Sequence, residues 1–265
     1  MRKKHNSSGF ARGVNLGNVN EIKTYWEDFW NKRKISGSQN DTFFQEISSD
    51  AIFYVLPECD MLLIVGCGDG TGIKKYTKKA KTVVGLDFSE IAIKKARPLF
   101  PNVEFVIGDI LQKQFANNGF DVIISERCIC NLKTPEEQIL ALAQLYKCLK
   151  TDGILILCEP WLQGYDRIDE IRKSMNLKPL KRHWHNVLLD QVIVEKSQFH
   201  ILEINTFGIY SIISRIFHPA FVQPKEPQFD DNINRLGALI NNAVMFNDGF
   251  NNLPSQHILY ILKKR

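Results

Sequence analysis

The residues best placed to do chemistry begin in the stretch MLLIVGCGDGTG, residues 61–72. Four glycines, Gly66, Gly68, Gly70 and Gly72, hold alternate positions directly behind the apolar run 62–65. Glycine at that density lets a backbone come close to another group. A phosphate loop of the GxxxxGK[ST] type is excluded, because Lys74 follows Ile73 rather than a glycine. The dinucleotide pattern GxGxxG is excluded as well. Counted from Gly66, Gly68 or Gly70, the sixth residue is Thr71, Ile73 or Lys75. The GxGxG spacing suits a nucleoside attached to something smaller than a pyrophosphate.

Two acids point the same way. Asp87 ends TVVGLD and Asp109 ends VEFVIGD, each at the tip of a run that reads as a strand. A carboxylate at the first tip accepts hydrogen bonds from both ribose hydroxyls. A carboxylate at the second reaches a purine amino group. Further candidates follow the fourth apolar run, in SERCICNLKTP (125–135), where Glu126 and Arg127 read either as site residues or as a local ion pair. In NLKPLKRHWHNVLLD (176–190), His183 and His185 flank Trp184 and would share a face in an extended chain. Either is a candidate general base, worth about 10²–10⁴-fold on a hydroxyl, or an ordinary structural histidine. No third histidine or carboxylate stands close by, so no metal site is expected. His200 reads as structural. Tyr210, Arg215 and His218 in YSIISRIFHP line a pocket or pack their own segment.

The elements that must position these residues alternate. A continuous apolar run at 62–66 reads as a fully buried strand, and 82–87, 103–109, 120–125 and 153–160 read as the strands that follow. Helical stretches lie between them, at GIKKYTKKA, SEIAIKKARPLF with Ser89 as N-cap, and TPEEQILALAQLYKCLK. The last opens with a Thr134 cap, Pro135 and a capping-box Glu137. This rhythm predicts a parallel sheet with helices on both faces. ILEINTF (201–207) and HILYILKK (257–264) read as two more strands, separated by an insertion holding one helix-like run, INRLGALINNAV. Ahead of the sheet, TYWEDFWNKRK (24–34) and FFQEISSDAIFYVL (43–56) read as helices, and residues 1–20 as loose chain.

Bulk properties bound the function. The 265 residues are 44% hydrophobic and 24% charged, as in a globular chain. The net charge of +5 is spread along the chain, so no dense nucleic-acid stripe is expected. The six cysteines form no CxxC pair and read as buried, reduced thiols of a cytoplasmic protein. MRKKHNSSGFARG has no apolar core behind its basic start, so it does not read as a secretion signal, and no run is long enough to span a membrane.

VGCGDGTG, VVGLD, VEFVIGDI, FDVIISE and LKTDGILILCEP, in that order, resemble the motifs of the class I S-adenosylmethionine-dependent methyltransferases over roughly residues 50–160. The resemblance implies a Rossmann-like α/β fold, a seven-stranded, mostly parallel sheet with its last strand antiparallel. It implies S-adenosyl-L-methionine as cofactor, the loop of Gly66, Cys67, Gly68 and Gly70 beneath it, Asp87 and Phe88 at the ribose, and Asp109 and Ile110 at the adenine. Tyr25 and Trp30 would fold over the methionine end, and Glu126 and Arg127 would touch the cofactor and open the acceptor pocket. Members usually carry an acid two residues before the first glycine; here that residue is Ile64. Asp69 either compensates or sits on the surface. More loosely, ISERCICNL, LKPLKRHWHN and SRIFHPAFVQPKEPQFD resemble methyltransferases encoded with bacterial surface-polysaccharide genes. The expectation is a helical cover (1–56), a cofactor core (57–160) and an acceptor half (161–265) within one domain. The expected reaction is O-methylation of a sugar or nucleotide-linked sugar, with His185, His183 or Glu126 as base. N-methylation of a small metabolite, a non-catalytic scaffold and a nucleic-acid modifier are the alternatives.

Overall fold

The computed structural model describes residues 19–34, 37–38, 40–112 and 115–265. The loose N-terminal chain expected before residue 19 lies outside them. Two helices lead, α1 (Val19–Lys32) and α2 (Thr42–Val55), followed by β1 (Cys59–Val65), α3 (Ile73–Tyr76), β2 (Ala80–Asp87), α4 (Glu90–Ala96), β3 (Glu104–Ile107) and β4 (Phe120–Glu126). Then come α5 (Pro135–Cys148), β5 (Leu149–Pro160), α6 (Leu162–Ser174), α7 (Gln191–Glu195) and β6 (His200–Thr206). The chain closes with α8 (Gly208–Ile212), α9 (His218–Val222), α10 (Asn232–Val244) and β7 (His257–Lys263).

The seven strands form one sheet in the order β3-β2-β1-β4-β5-β7-β6. β1 to β5 pair in parallel, and β7 lies antiparallel between β5 and β6. The apolar runs explain the layers. Leu62 to Val65 of β1 are each at most 5% exposed, because helices cover both faces of the sheet. One face packs against α2, α3, α4, α8 and α10 through Phe44, Ile52, Tyr76, Ile93, Tyr210 and Ala238. The other packs against α5 and α7 through Leu142, Leu145, Ile193 and Val194. Each buried Leu, Ile or Val contributes about 1.5–3 kcal/mol, against about 1 kcal/mol for a helix cap. Burial therefore sets the layers, and caps trim the ends.

The caps act as the sequence predicts, with shifts. Ser89 Oγ accepts from Ala92 N, and Thr134 Oγ1 accepts from Glu137 N. Glu137 reaches back to Lys133 N instead of closing the box on Thr134. The helix predicted over 72–80 is only Ile73–Tyr76. Lys78 N and Lys79 N bond to carbonyls three residues back, and these tight turns lead into β2. α4 stops at Ala96, short of Pro98, whose missing N–H cannot continue the ladder. Two lysines of 74–81 bind α2: Lys79 Nζ donates to Phe53 O and Leu56 O at its end, and Lys75 pairs with Asp50.

The insertion before β7 holds more helix than expected. α8 runs through a π-helical turn (Ile213–Phe217) into α9, and α10 returns antiparallel beside it. Gly237 of α10 packs on Ile213, and Tyr210 N donates to Asn241 Oδ1. Asp41 ties this unit to the body. Its Oδ1 caps α2 at Phe44 N and accepts Tyr210 OH at 2.5 Å, while Oδ2 pairs with Arg215. Tyr210, Arg215 and His218 thus serve packing; His218 is buried against Asn234 and Asp231. Asp41→Ala leaves the buried Arg215 charge uncompensated. It should cost about 3–5 kcal/mol in urea unfolding, against about 1 kcal/mol for Tyr210→Phe.

Candidate functional site

The chain leaves β1 through Gly66 and Gly68, whose φ values are +66° and +54°. A Cβ at Gly66 would lie 2.6 Å from Cys128 Cβ, and one at Gly68 would lie 2.9 Å from the Trp30 ring. Glycine is needed at both for its conformation and for its lack of a side chain. What lies against these two glycines is therefore protein: the loop after β4 and the lid helix α1.

Asp87, at the tip of β2, fixes this loop. Its Oδ2 accepts Gly68 N at 2.8 Å and its Oδ1 accepts Ser89 N at 2.9 Å. Burial pushes its pKa up to about 6, opposed by those two hydrogen bonds and aided by nearby Glu27 and Asp69. Each oxygen keeps a lone pair for a further donor. At the tip of β3, Asp109 accepts Leu111 N at 2.9 Å. Cys67, Asp87, Phe88, Asp109, Ile110, Glu126 and Arg127 line one cleft with the glycine loop, enclosing about 1090 Å³ including its open mouth. Asp69 is buried, not on the surface, and its Oδ2 accepts Gly37 N from the segment after α1.

α1 covers this cleft. Trp26 and Trp30, one helical turn apart, line it, whereas Tyr25 does not. Trp26 thus takes the place expected of Tyr25. Glu27 pins the helix to the start of α4, accepting Ser89 Oγ at 3.0 Å, Glu90 N at 3.0 Å and Ile91 N at 3.3 Å. Lys95 answers from the other end of α4, donating to Trp30 O and Arg33 O at the end of α1. Acid at one helix start and base at another helix end both agree with the helix dipoles.

His183 and His185 do not line the cleft. They sit in a turn closed by Asn186 N to His183 O, not in an extended chain, with ring centroids 5.5 Å apart. His185 packs on the outer side of α1, 4.3 Å from Tyr25 and 5.6 Å from Trp26. Burial lowers its pKa to about 4, so the ring is neutral at pH 7. Glu126 already accepts Ser48 Oγ at 2.6 Å and pairs with Arg127 at 2.8 Å. Arg127 itself has φ +50°. That conformation costs about 1–3 kcal/mol for a side-chain-bearing residue and turns the chain from β4 across the cleft. Asn131 Nδ2 steadies it by donating to Arg127 O at 2.8 Å.

Glu159 on β5, fully buried, was given no role by its sequence context. Its Oε1 accepts Ser125 Oγ at 2.9 Å, Cys128 N at 3.0 Å and Ile129 N at 3.1 Å, and its Oε2 accepts Cys130 N at 3.2 Å. It therefore holds the loop that carries Arg127 and Cys128. Burial nonetheless pushes its pKa up to about 6. Glu159→Ala leaves these buried donors without an acceptor. It should lower unfolding stability by about 3 kcal/mol or more, and it should weaken ligand binding in the cleft.

Comparison with known proteins bears on this site. Residues 63–157 match the family described as a methyltransferase domain. The chain is 31% identical over 124 residues to a dTDP-3-amino-3,4,6-trideoxy-alpha-D-glucopyranose N,N-dimethyltransferase of Streptomyces venezuelae, covering 44% of this chain and 52% of that one. It is 32% identical over 98 residues to a demethylmenaquinone methyltransferase of Renibacterium salmoninarum, covering 37% and 40%. The chain thus spans about half the length of the curated relatives it matches. Among solved structures, N-methyltransferase NodS from Bradyrhizobium japonicum WM9, in complex with S-adenosyl-l-homocysteine, superposes with TM-score 0.57 at 13% identity, covering 92% of this chain and 98% of that one. A Haloferax volcanii complex of the Trm112 methyltransferase activator with a putative methyltransferase gives TM-score 0.59 at 11% identity, covering 90% and 97%. These two likenesses are of fold.

The cleft fits the cofactor these proteins imply. Asp87 offers paired acceptors for a ribose. Trp26 Nε1, Gln45 Oε1 and Asn131 Oδ1, all on cleft-lining residues, are buried without partners in the protein. Fold, motif order and family match together make residues 63–157 the core of a class I S-adenosylmethionine-dependent methyltransferase domain.

Proposed function

We propose that this chain transfers a methyl group from S-adenosyl-L-methionine to an oxygen, the acceptor being a hydroxyl of a sugar or nucleotide-linked sugar in surface-polysaccharide assembly. The observation that carries the methyl-transfer reading is the cleft itself. A glycine loop, Asp87 and Asp109 meet at adjoining strand tips under the Trp26–Trp30 face of α1. When bound, the cofactor supplies an electrophilic methyl on a sulfonium, whose leaving group is neutral. The protein then needs chiefly to orient the nucleophile, which by itself provides much of the acceleration.

Charge balance supports a neutral, hydroxylated acceptor. On the acceptor side, Arg127 is paired with Glu126 and Arg215 with Asp41, so neither guanidinium offers an unopposed charge to an anion. A second reading, methylation of a nitrogen, is favoured by the similarity to the Streptomyces enzyme named for an amino sugar. No helix among the described residues is long and apolar enough to cross a membrane.

Calorimetric titration with S-adenosylhomocysteine tests the methyl-transfer reading first. The unmodified protein should bind it, and Asp87→Ala should abolish binding; no binding by the unmodified protein would sink the reading. The pH profile gives a sharper check. Ribose hydroxyls donate to the ionised form of Asp87, whose pKa in the free protein is about 6. Affinity should therefore be full above pH 7 and fall by about fourfold at pH 5.5. Asp87→Asn should bind more weakly and lose that dependence.

A further inference from the structure

β7 runs against its neighbours, so its first residue lies at the edge where β1, β2, β4 and β5 end. That residue is His257, paired with Pro160, the last residue of β5. Its ring stacks on Phe44 of α2 at 4.1 Å, and the next residue, Gln45, lines the cofactor cleft. His257 is only 6% exposed, and its Nδ1 is buried with no partner. Among the described residues no hydrogen bond reaches either ring nitrogen. Buried polar groups nearly always find a partner, in the protein or in an ordered water; the Nδ1 atom finds none among the described residues.

The charges around this ring bear on its protonation. Arg127, on the cleft wall, and Arg215, in the insertion, both act on the imidazole. Each is held by its own carboxylate, Glu126 or Asp41. Burial and the two guanidiniums push the His257 pKa well below the usual histidine value. The ring is thus neutral, one nitrogen accepting and the other donating, and a poor carrier of a second proton.

We propose that His257 is an acceptor-contact residue, its imidazole taking a hydrogen bond from an acceptor hydroxyl. This assignment rests on the sugar-hydroxyl reading of the same site. It uses a residue outside the cofactor wall, so cofactor affinity and acceptor recognition separate cleanly.

The test is release of S-adenosylhomocysteine by the full chain on nucleotide-linked hexoses and on their amino-deoxy counterparts, with His257→Phe and His257→Gln beside the unmodified protein. Hexoses should be the better substrates. His257→Phe should raise the KM for the hexose about tenfold, the loss of one neutral hydrogen bond. His257→Gln, which keeps an acceptor oxygen, should recover part of it. Affinity for S-adenosylhomocysteine should stay within about twofold in both variants, which also reports that they are folded. In long-range ¹H–¹⁵N spectra of the S-adenosylhomocysteine complex, adding the same hexose should shift the unprotonated ring nitrogen of His257. An unchanged KM in His257→Phe, or an unmoved resonance, overturns this assignment and leaves the sugar reading standing. A preference for amino-deoxy hexoses overturns the hydroxyl reading on which the assignment rests. An unmodified protein that binds S-adenosylhomocysteine but turns over neither series overturns the sugar reading, and the assignment falls with it.

Discussion

The Glu159 carboxylate is the constraint on which the site depends. Four donors converge on its two oxygens, three of them backbone N–H groups of residues 128–130. A fully buried carboxylate is expensive unless such donors surround it. Here they fold the loop after β4 back across the strand tips. That loop places Cys128 against Gly66 and Arg127 on the cleft wall. It also takes Val187 N on Cys130 O at 2.8 Å, which anchors the segment carrying His185 against Tyr25 of the lid. One charge at the end of β5 thereby links the glycine loop, the acceptor side and the outer face of α1.

The lid is held from two directions that differ in kind. On the α4 side, Glu27 and Lys95 make charge-assisted bonds to helix-end groups, each worth about 1.5–3 kcal/mol when well shielded. On the other side, Tyr25, Trp26, Trp184 and His185 pack ring against ring. Such aromatic pairs contribute about 0.5–1.5 kcal/mol beyond their burial. Lifting α1 far enough to free the cleft has to break both sets. The helix therefore works as a wall of the binding site rather than as a loose flap.

The cofactor half was legible because its residues announce themselves locally. A buried strand ending in Asp87, or a glycine loop behind 62–65, is a pattern of a few residues, and the parallel order of strands follows from it. Helical phase separates Trp26 and Trp30 from Tyr25, so the lid residue was recoverable from spacing alone. His183 and His185 were less readable, because an extended chain and a turn place the two rings differently. Glu159, Asp41 and His257 carried no local signal. Asp41 meets Arg215 across 174 residues and Glu159 meets Cys128 across 31, and no motif joins them. The helices of the insertion were hidden in the same way, since Gly237 tolerates Ile213 only because α10 returns along α8.

That division has a physical origin. The cleft proposed for the cofactor is built on strand tips that are neighbours in the sheet and close in sequence, so it is written in short motifs. The acceptor side proposed above is assembled from α2, the loop after β4, the π-turn and β7, which meet because the last strand reverses direction. Reversal brings His257 to the ligand edge and lets Arg215 reach Asp41 without either entering the cofactor wall. The same geometry keeps the charges in pairs. Each guanidinium arrives with its carboxylate, so a neutral acceptor entering between them displaces no counter-charge and pays only for the water it loses.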